Sequence, residues 1–197
     1  MGFILSLVFV LLVLSLFLSK IKSGKADKLA KLFRVLSLVF SISIFTYWFV
    51  KKSTIGIIKD SVSFQLINKT PQTLDFYLVK INKNNSAPNL ETIHVGKIRP
   101  EYYRVEHLGM KNSDEYWVAG YLGKKNMVYF SQHSVPNKNI DQIVEIQNYI
   151  NQSEKLSERA KKNIEAYSYE TRFSAIWVTL NLLLIFLNLI LILRKKN

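Results

Sequence analysis

Cysteine is absent, and in 197 residues proline occurs four times, glycine seven times and histidine three times. Without cysteine the chain forms neither a disulfide nor a thiolate metal site, so any folded part rests on its own apolar core. The few glycines are dispersed, which excludes a phosphate-cradling loop, and neither His-Glu-x-x-His nor Gly-x-Ser-x-Gly occurs. Acids are also scarce, with 14 Asp and Glu against 27 Lys and Arg, a net charge of +13. Three stretches lack charge altogether, and they set the architecture.

The uncharged runs are 2–19, 35–50 and 173–193, and Leu32 and Phe33 extend the second, across Arg34, to a span of about 33–50. At about 1.5 Å rise per residue each approaches the thickness of a hydrocarbon core, which predicts three transmembrane helices. Tyr47 and Trp48 close the second run and Trp177 opens the third, as interfacial aromatics do. The first run lacks the positive leader and small-residue cleavage site of a signal peptide, so an uncleaved anchor is expected.

Charge orients these spans. Lys20, Lys22, Lys25, Lys28, Lys31 and Arg34, opposed only by Asp27, fill the segment 20–34, and Arg194, Lys195 and Lys196 form the tail 194–197. The positive-inside rule places both in the cytoplasm and the long stretch between spans two and three outside. Because the basic excess flanks the runs, it predicts contact with membrane lipid and argues against nucleic acid. A Cys-free outer part rich in Lys, Asn and Ile suits a bacterial inner membrane, with the domain in the periplasm or exterior.

From Ser61 the apolar period is two. Strands are predicted at 61–67, 74–81, 91–98, 101–108, 115–122 and 126–133, broken by Asn68-Lys69-Thr70-Pro71, 82–89, Arg99-Pro100, 109–114 and Gly123-Lys124-Lys125. Six short strands imply an antiparallel β-sandwich, immunoglobulin-like or a partly open barrel, over 53–138. After Pro136 the apolar stripe Ile140, Ile143, Val144 and Ile150 predicts a helix capped by Asn139. A second seam of Leu156, Ala160, Ile164, Tyr167 and Thr171 runs on into the third span, so 139–172 is either a helical stalk or a helix packed flat on the sandwich. The expected fold is therefore an α+β membrane protein: a transmembrane hairpin (1–52), an extracytoplasmic sandwich, a stalk and a third span.

Candidate functional residues are few. His94, His107 and His133 fall on different strands without converging parity, so no metal site is assigned, and no catalytic residue or cofactor is either. Glu101 and Glu106 have odd separation and point to opposite faces of one strand, which unmakes them as a carboxylate pair. Tyr102 and Tyr103 belong to an aromatic group in which Trp117 and Tyr121 share one face of a strand. If Tyr116, Val118 and Leu122 are core, Trp117 and Tyr121 form an exposed platform for a partner protein or a sugar ring, unless the helix after Asn139 covers that face. Asn181 and Asn188, seven apart in the third span, and Ser37-x-x-x-Ser41 in the second are expected to support helix association within or between chains. Asn68, Asn84 and Asn151 each open a glycosylation pattern that Asn abundance produces by chance. The expected function is non-enzymatic: a protein-binding accessory or scaffold subunit of an envelope complex, or a homo-oligomer. The alternative is a sensor binding a ligand or cell-wall fragment and signalling through the stalk and a partner.

Overall fold

The computed structural model describes residues 2–21, 23–53, 61–82 and 89–194. Most of the loop expected at 82–89, Lys22, Lys195, Lys196 and the Asn84 glycosylation pattern lie outside the described residues. The chain divides into two compact units, Met1–Ile55 with Tyr169–Asn197, and Gly56–Ser168.

The first unit is helical: α1 (Gly2–Leu18), α2 (Gly24–Ser53) and the later part of α3 (Glu154–Leu193). Two of these are long and apolar enough to cross a membrane, Gly24–Val50 and Glu154–Leu193, whereas α1 is apolar but shorter. The expected three spans are thus two by helix length. The turn at Ser19 and Lys20 ends α1 after 17 residues. Most of the segment expected as a loop, from Gly24 to Arg34, is instead the first part of α2.

Burial in this unit follows heptads. Leu5, Val8, Leu12 and Ser15 are buried on α1, Ala30, Arg34, Ser37, Leu38 and Ser41 on α2, and Asn181 and Asn188 on α3. Their three- and four-residue steps are those of a helix-packing seam. The other faces expose Leu, Ile, Val and Phe, among them Phe17, Leu36, Phe49, Leu183 and Phe186.

The second unit is α+β with a sandwich-like core of two sheets. Strands β1 (Ser61–Asn68), β4 (Tyr103–Gly109) and β7 (Gln142–Ile146) form one sheet in the order β4-β1-β7. Strands β2 (Leu74–Asn82), β3 (Asn89–Ile98), β5 (Glu115–Leu122) and β6 (Asn126–Ser134) form the other, in the order β3-β2-β5-β6. Every pairing is antiparallel except β1 with β7. Two separate sheets make the expected sandwich and not the partly open barrel.

Alternation explains the first strands directly: β1 buries Val62, Phe64 and Leu66, and β2 buries Leu74, Phe76 and Leu78, facing Tyr116, Val118, Val144 and Ile146 in one core. A bulge between Phe76 and Tyr77 lies opposite Gly96, whose φ of 95° suits glycine. A Cβ there would stand 2.8 Å from Arg104 Nη1, which donates to Val95 O at 2.8 Å.

The helix expected after Asn139 does not form. Gln142–Ile146 is a strand because Gln142, Val144 and Ile146 face inward beside Phe64, Leu66 and Asn68, and β1 offers its free edge. The following helix is as expected in phase but starts later: Ser153 caps it, its Oγ accepting from Leu156 N at 3.3 Å.

Candidate functional site

The two sheets differ in what covers their outer faces. On the four-stranded sheet, Val79, Ile81, Trp117, Ala119, Tyr121 and Phe130 form a second core with Leu156, Ala160 and Ile164 from the first turns of α3. Asn163 fastens that helix, hydrogen-bonding Thr92 Oγ1 and donating to Leu90 O at 3.5 Å. This strand layer is therefore sealed on both sides, and β5 is buried from Tyr116 through Tyr121.

Trp117 and Tyr121 consequently do not form the exposed platform. Trp117 is 3% exposed, packs edge-on to Phe130 and donates from Nε1 to Glu115 Oε1 at 2.8 Å. Tyr121 meets Tyr77 edge-on, and burial, reinforced by Glu165, Tyr77 and Glu158, pushes its hydroxyl well above the ordinary tyrosine range. The two do share a face, and it is covered by a helix, one that begins at Glu154 and not after Asn139.

The three-stranded sheet has no such cover among the described residues. Its strands pair in register as Ile67 with Tyr103 and Glu145, Gln65 with Val105 and Ile143, and Ser63 with His107. Because Val62, Phe64, Leu66, Val144 and Leu108 turn into the core, these partners form the opposite face. Tyr103 is 62% exposed and Ile143 63%, and Val105, two residues from Tyr103 on β4 and across Gln65 from Ile143, is exposed too. Tyr102, next to Tyr103 at the start of β4, is exposed as well. A flat face mixing aromatic, aliphatic and amide groups suits a protein surface more than a small molecule, which would need concavity. The signal lay in β4 itself, where Tyr103, Val105 and His107 alternate on one side.

The histidines occupy three separate environments. His94 Nε2 lies 2.7 Å from Asp75 Oδ1 and its ring stacks on Tyr77. His107 belongs to the uncovered face. His133 stacks on Tyr116 and bonds Ser131 Oγ at 2.7 Å, and burial pushes its pKa below the usual histidine value. Among the described residues no three His, Asp or Glu side chains are grouped to hold a metal ion. Glu101 pairs instead with Lys69 at 2.6 Å. A groove of about 570 Å³ is lined by Asp114, Glu115, Gln132, His133 and Gln152. Glu115 is committed there to Trp117 and to Gln132 Nε2, 2.6 Å away. Asn68 is fully buried and its Nδ2 donates to Gln72 O and Ile98 O, so its amide is a structural bracket, closed to glycosylation.

In the helical unit the amides of α3 reach the backbone of α1. Asn181 Nδ2 donates to Leu5 O and Asn188 Nδ2 to Leu12 O, both at 3.1 Å. Each also donates within α3, to Trp177 O and Leu184 O at 2.9 Å. Both contacts advance by one heptad in the same direction, so α1 and α3 run parallel. Asn188 Oδ1 accepts from Ser15 Oγ at 2.6 Å, while Asn181 Oδ1 is buried without a partner. Ser41 Oγ donates to Ser37 O at 2.7 Å, and both serines are buried on α2. Sequence reasoning missed Arg34: counted as a loop charge, it occupies the α2 seam with Ala30, Ser37 and Ser41.

No protein-family model matches this chain, and no curated protein matches its sequence.

Proposed function

We propose that the chain is an integral membrane protein of the bacterial cytoplasmic membrane that presents its sandwich outside for protein binding, as an accessory or scaffold subunit of an envelope complex. The observation that carries the membrane part is the inverted helical unit, which encloses serine, asparagine and arginine and turns leucine and phenylalanine outward. In water that arrangement wastes apolar area at about 25 cal/mol per Å², whereas lipid solvates it without cost. The parallel contacts of Asn181 and Asn188 set α1 level with the later part of α3, which supports α1 as a short third span. Lys20, Lys25, Lys28 and Lys31 then mark the cytoplasmic side.

Protein binding is assigned to the uncovered sheet face around Tyr103, Val105 and Ile143. A photo-crosslinking residue at Tyr103 or Ile143 in intact cells should give a discrete protein adduct that the same residue at Lys124 does not. Adducts equal at all three positions would sink the assignment. For sidedness, protease added to intact spheroplasts should remove the sandwich; cleavage only after lysis would reverse the orientation. A sensor is the second reading, favoured by α3, one helix of 40 residues that supplies Ala160 and Ile164 to one unit and Asn181 and Asn188 to the other.

A further inference from the structure

The only charged residue in the buried seam of the helical unit, among the described residues, is Arg34. It is 8% exposed, its Nε and Nη2 are buried without hydrogen-bond partners, and no described acid pairs with it. Helix lengths give its level. Arg34 lies about 15 Å beyond the start of α2 and Val8 about 15 Å before the end of α1, and a turn of a few residues joins those two ends. Asn181 belongs to the same level: Val8 stands one heptad before Ser15, as Asn181 stands one heptad before Asn188. Where Ser15 satisfies Asn188, Val8 offers Asn181 nothing. One layer of the seam thus holds both an unpaired cation and an unpaired acceptor.

An uncompensated guanidinium in apolar surroundings costs several kcal/mol, and charges within membrane segments are found paired with opposite ones. Among the described residues, the helices of this unit offer it none. The apolar parts of α1 and α3 contain no Asp or Glu, and Asp27, the only acid on α2, holds Lys31 at 2.6 Å. A second copy lacks the counter-charge for the same reason.

We propose that Arg34 is the docking point for a carboxylate carried within the membrane-spanning helix of a different protein. The inference rests on the membrane reading above and names the chemistry of the partner. The long arginine stem lets the guanidinium move from the seam to the α2 surface by a rotamer change, leaving the helices wound. There a partner's Asp or Glu forms a charge-assisted, two-pronged bond with it. Selectivity follows from the charge, since a neutral helix gains nothing from the contact.

The absence of cysteine makes the test direct. The full chain carrying Ser23→Cys is labelled with a fluorophore and reconstituted in phosphatidylcholine vesicles. Alkaline carbonate is applied first: extraction of the protein would overturn the membrane reading and this inference with it. Energy transfer is then measured to synthetic Leu/Ala-rich transmembrane peptides bearing a single central Glu, Gln or Leu. The Glu peptide should associate about tenfold or more tightly than the Leu peptide, with the Gln peptide between. Arg34→Met should erase the difference and Arg34→Lys should retain part of it. Equal association of Glu and Leu peptides with the inserted wild-type chain overturns the proposal whatever the variants do. Persistence of Glu selectivity in Arg34→Met does the same. Loss of the Glu advantage when phosphatidylglycerol replaces phosphatidylcholine assigns Arg34 to a lipid phosphate and overturns the protein partner.

Discussion

The sandwich encloses Phe64, Phe76, Leu78 and Tyr116, while the helical unit encloses Ser15, Ser37, Ser41, Asn181 and Asn188 alongside Leu5, Leu12 and Leu38 and exposes others, among them Leu36, Leu182 and Leu183. The same packing rule, small-step seams and alternating faces, operates in both. On the membrane reading proposed above, what differs is the solvent each is built to meet. Water drives the first by expelling apolar area; lipid offers no such drive, so close approach and amide-to-carbonyl bonds hold the second.

Four substitutions would break or sharpen that contrast. The largest effect is expected from Trp117→Ala, which empties a site closed by Phe130 and the start of α3 and should remove about 3–5 kcal/mol from the sandwich's stability. Chemical denaturation of the purified chain, followed by far-ultraviolet circular dichroism, measures it, and a near-neutral result would reopen the face that α3 covers. Next comes the reverse exchange in the helical unit. Asn188→Leu, which would strengthen an aqueous core, should here cost about 0.5–2 kcal/mol of helix association, read by unfolding in mixed detergent micelles. Stabilisation instead would mean that this unit packs like a soluble bundle.

A smaller gain is expected from Val8→Ser. It supplies Asn181 Oδ1 with the hydroxyl that Ser15 gives Asn188, and should stabilise the helical unit by about 0.6 kcal/mol in the same detergent assay. No gain would show that the two heptads are not equivalent. The smallest effect is a pH slope from His133. Its folded pKa is depressed by burial, so the unfolded chain takes up a proton first as pH falls below about 6.5. Stability should therefore be full above that value and decline as pH drops toward the folded pKa. His133→Gln should flatten this part of the melting profile relative to the parent, and an identical slope in both would place the titration elsewhere.

Much of the sandwich was legible because β1 has one apolar side, β2 alternates from Leu74 to Leu78, and the turns between strands carry Asn, Gly and Pro. The seam of α3 was legible for the same reason: Leu156, Ala160 and Ile164 repeat at helical steps. Two failures share a cause. Ile143 and Val144 fit either period, and only the open edge of β1, a neighbour distant in sequence, decides for a strand. Likewise the exposure of Trp117 depended on a cover supplied by Ala160 and Ile164, which no local pattern around the tryptophan discloses. Arg34 was missed because charge near an apolar run reads as a flank. Its position on the Ala30–Ser37–Ser41 stripe was visible, but lysines nearby suggested a solvated face.

The parallel pairing of β1 with β7 also sets a timetable. Phe64 lies beside Gln142 on one side and Glu106 on the other, so the first strand of the sandwich has no partner until much of the domain has been made. Contacts of such sequence separation close slowly. Until then β1 is an open-edged strand, and Ser61, Ser63 and Gln65, polar at every second place, keep one of its sides unattractive to other chains. Arrival of β7 is then the step that commits the sheet, and Ser153 begins α3 only a few residues later.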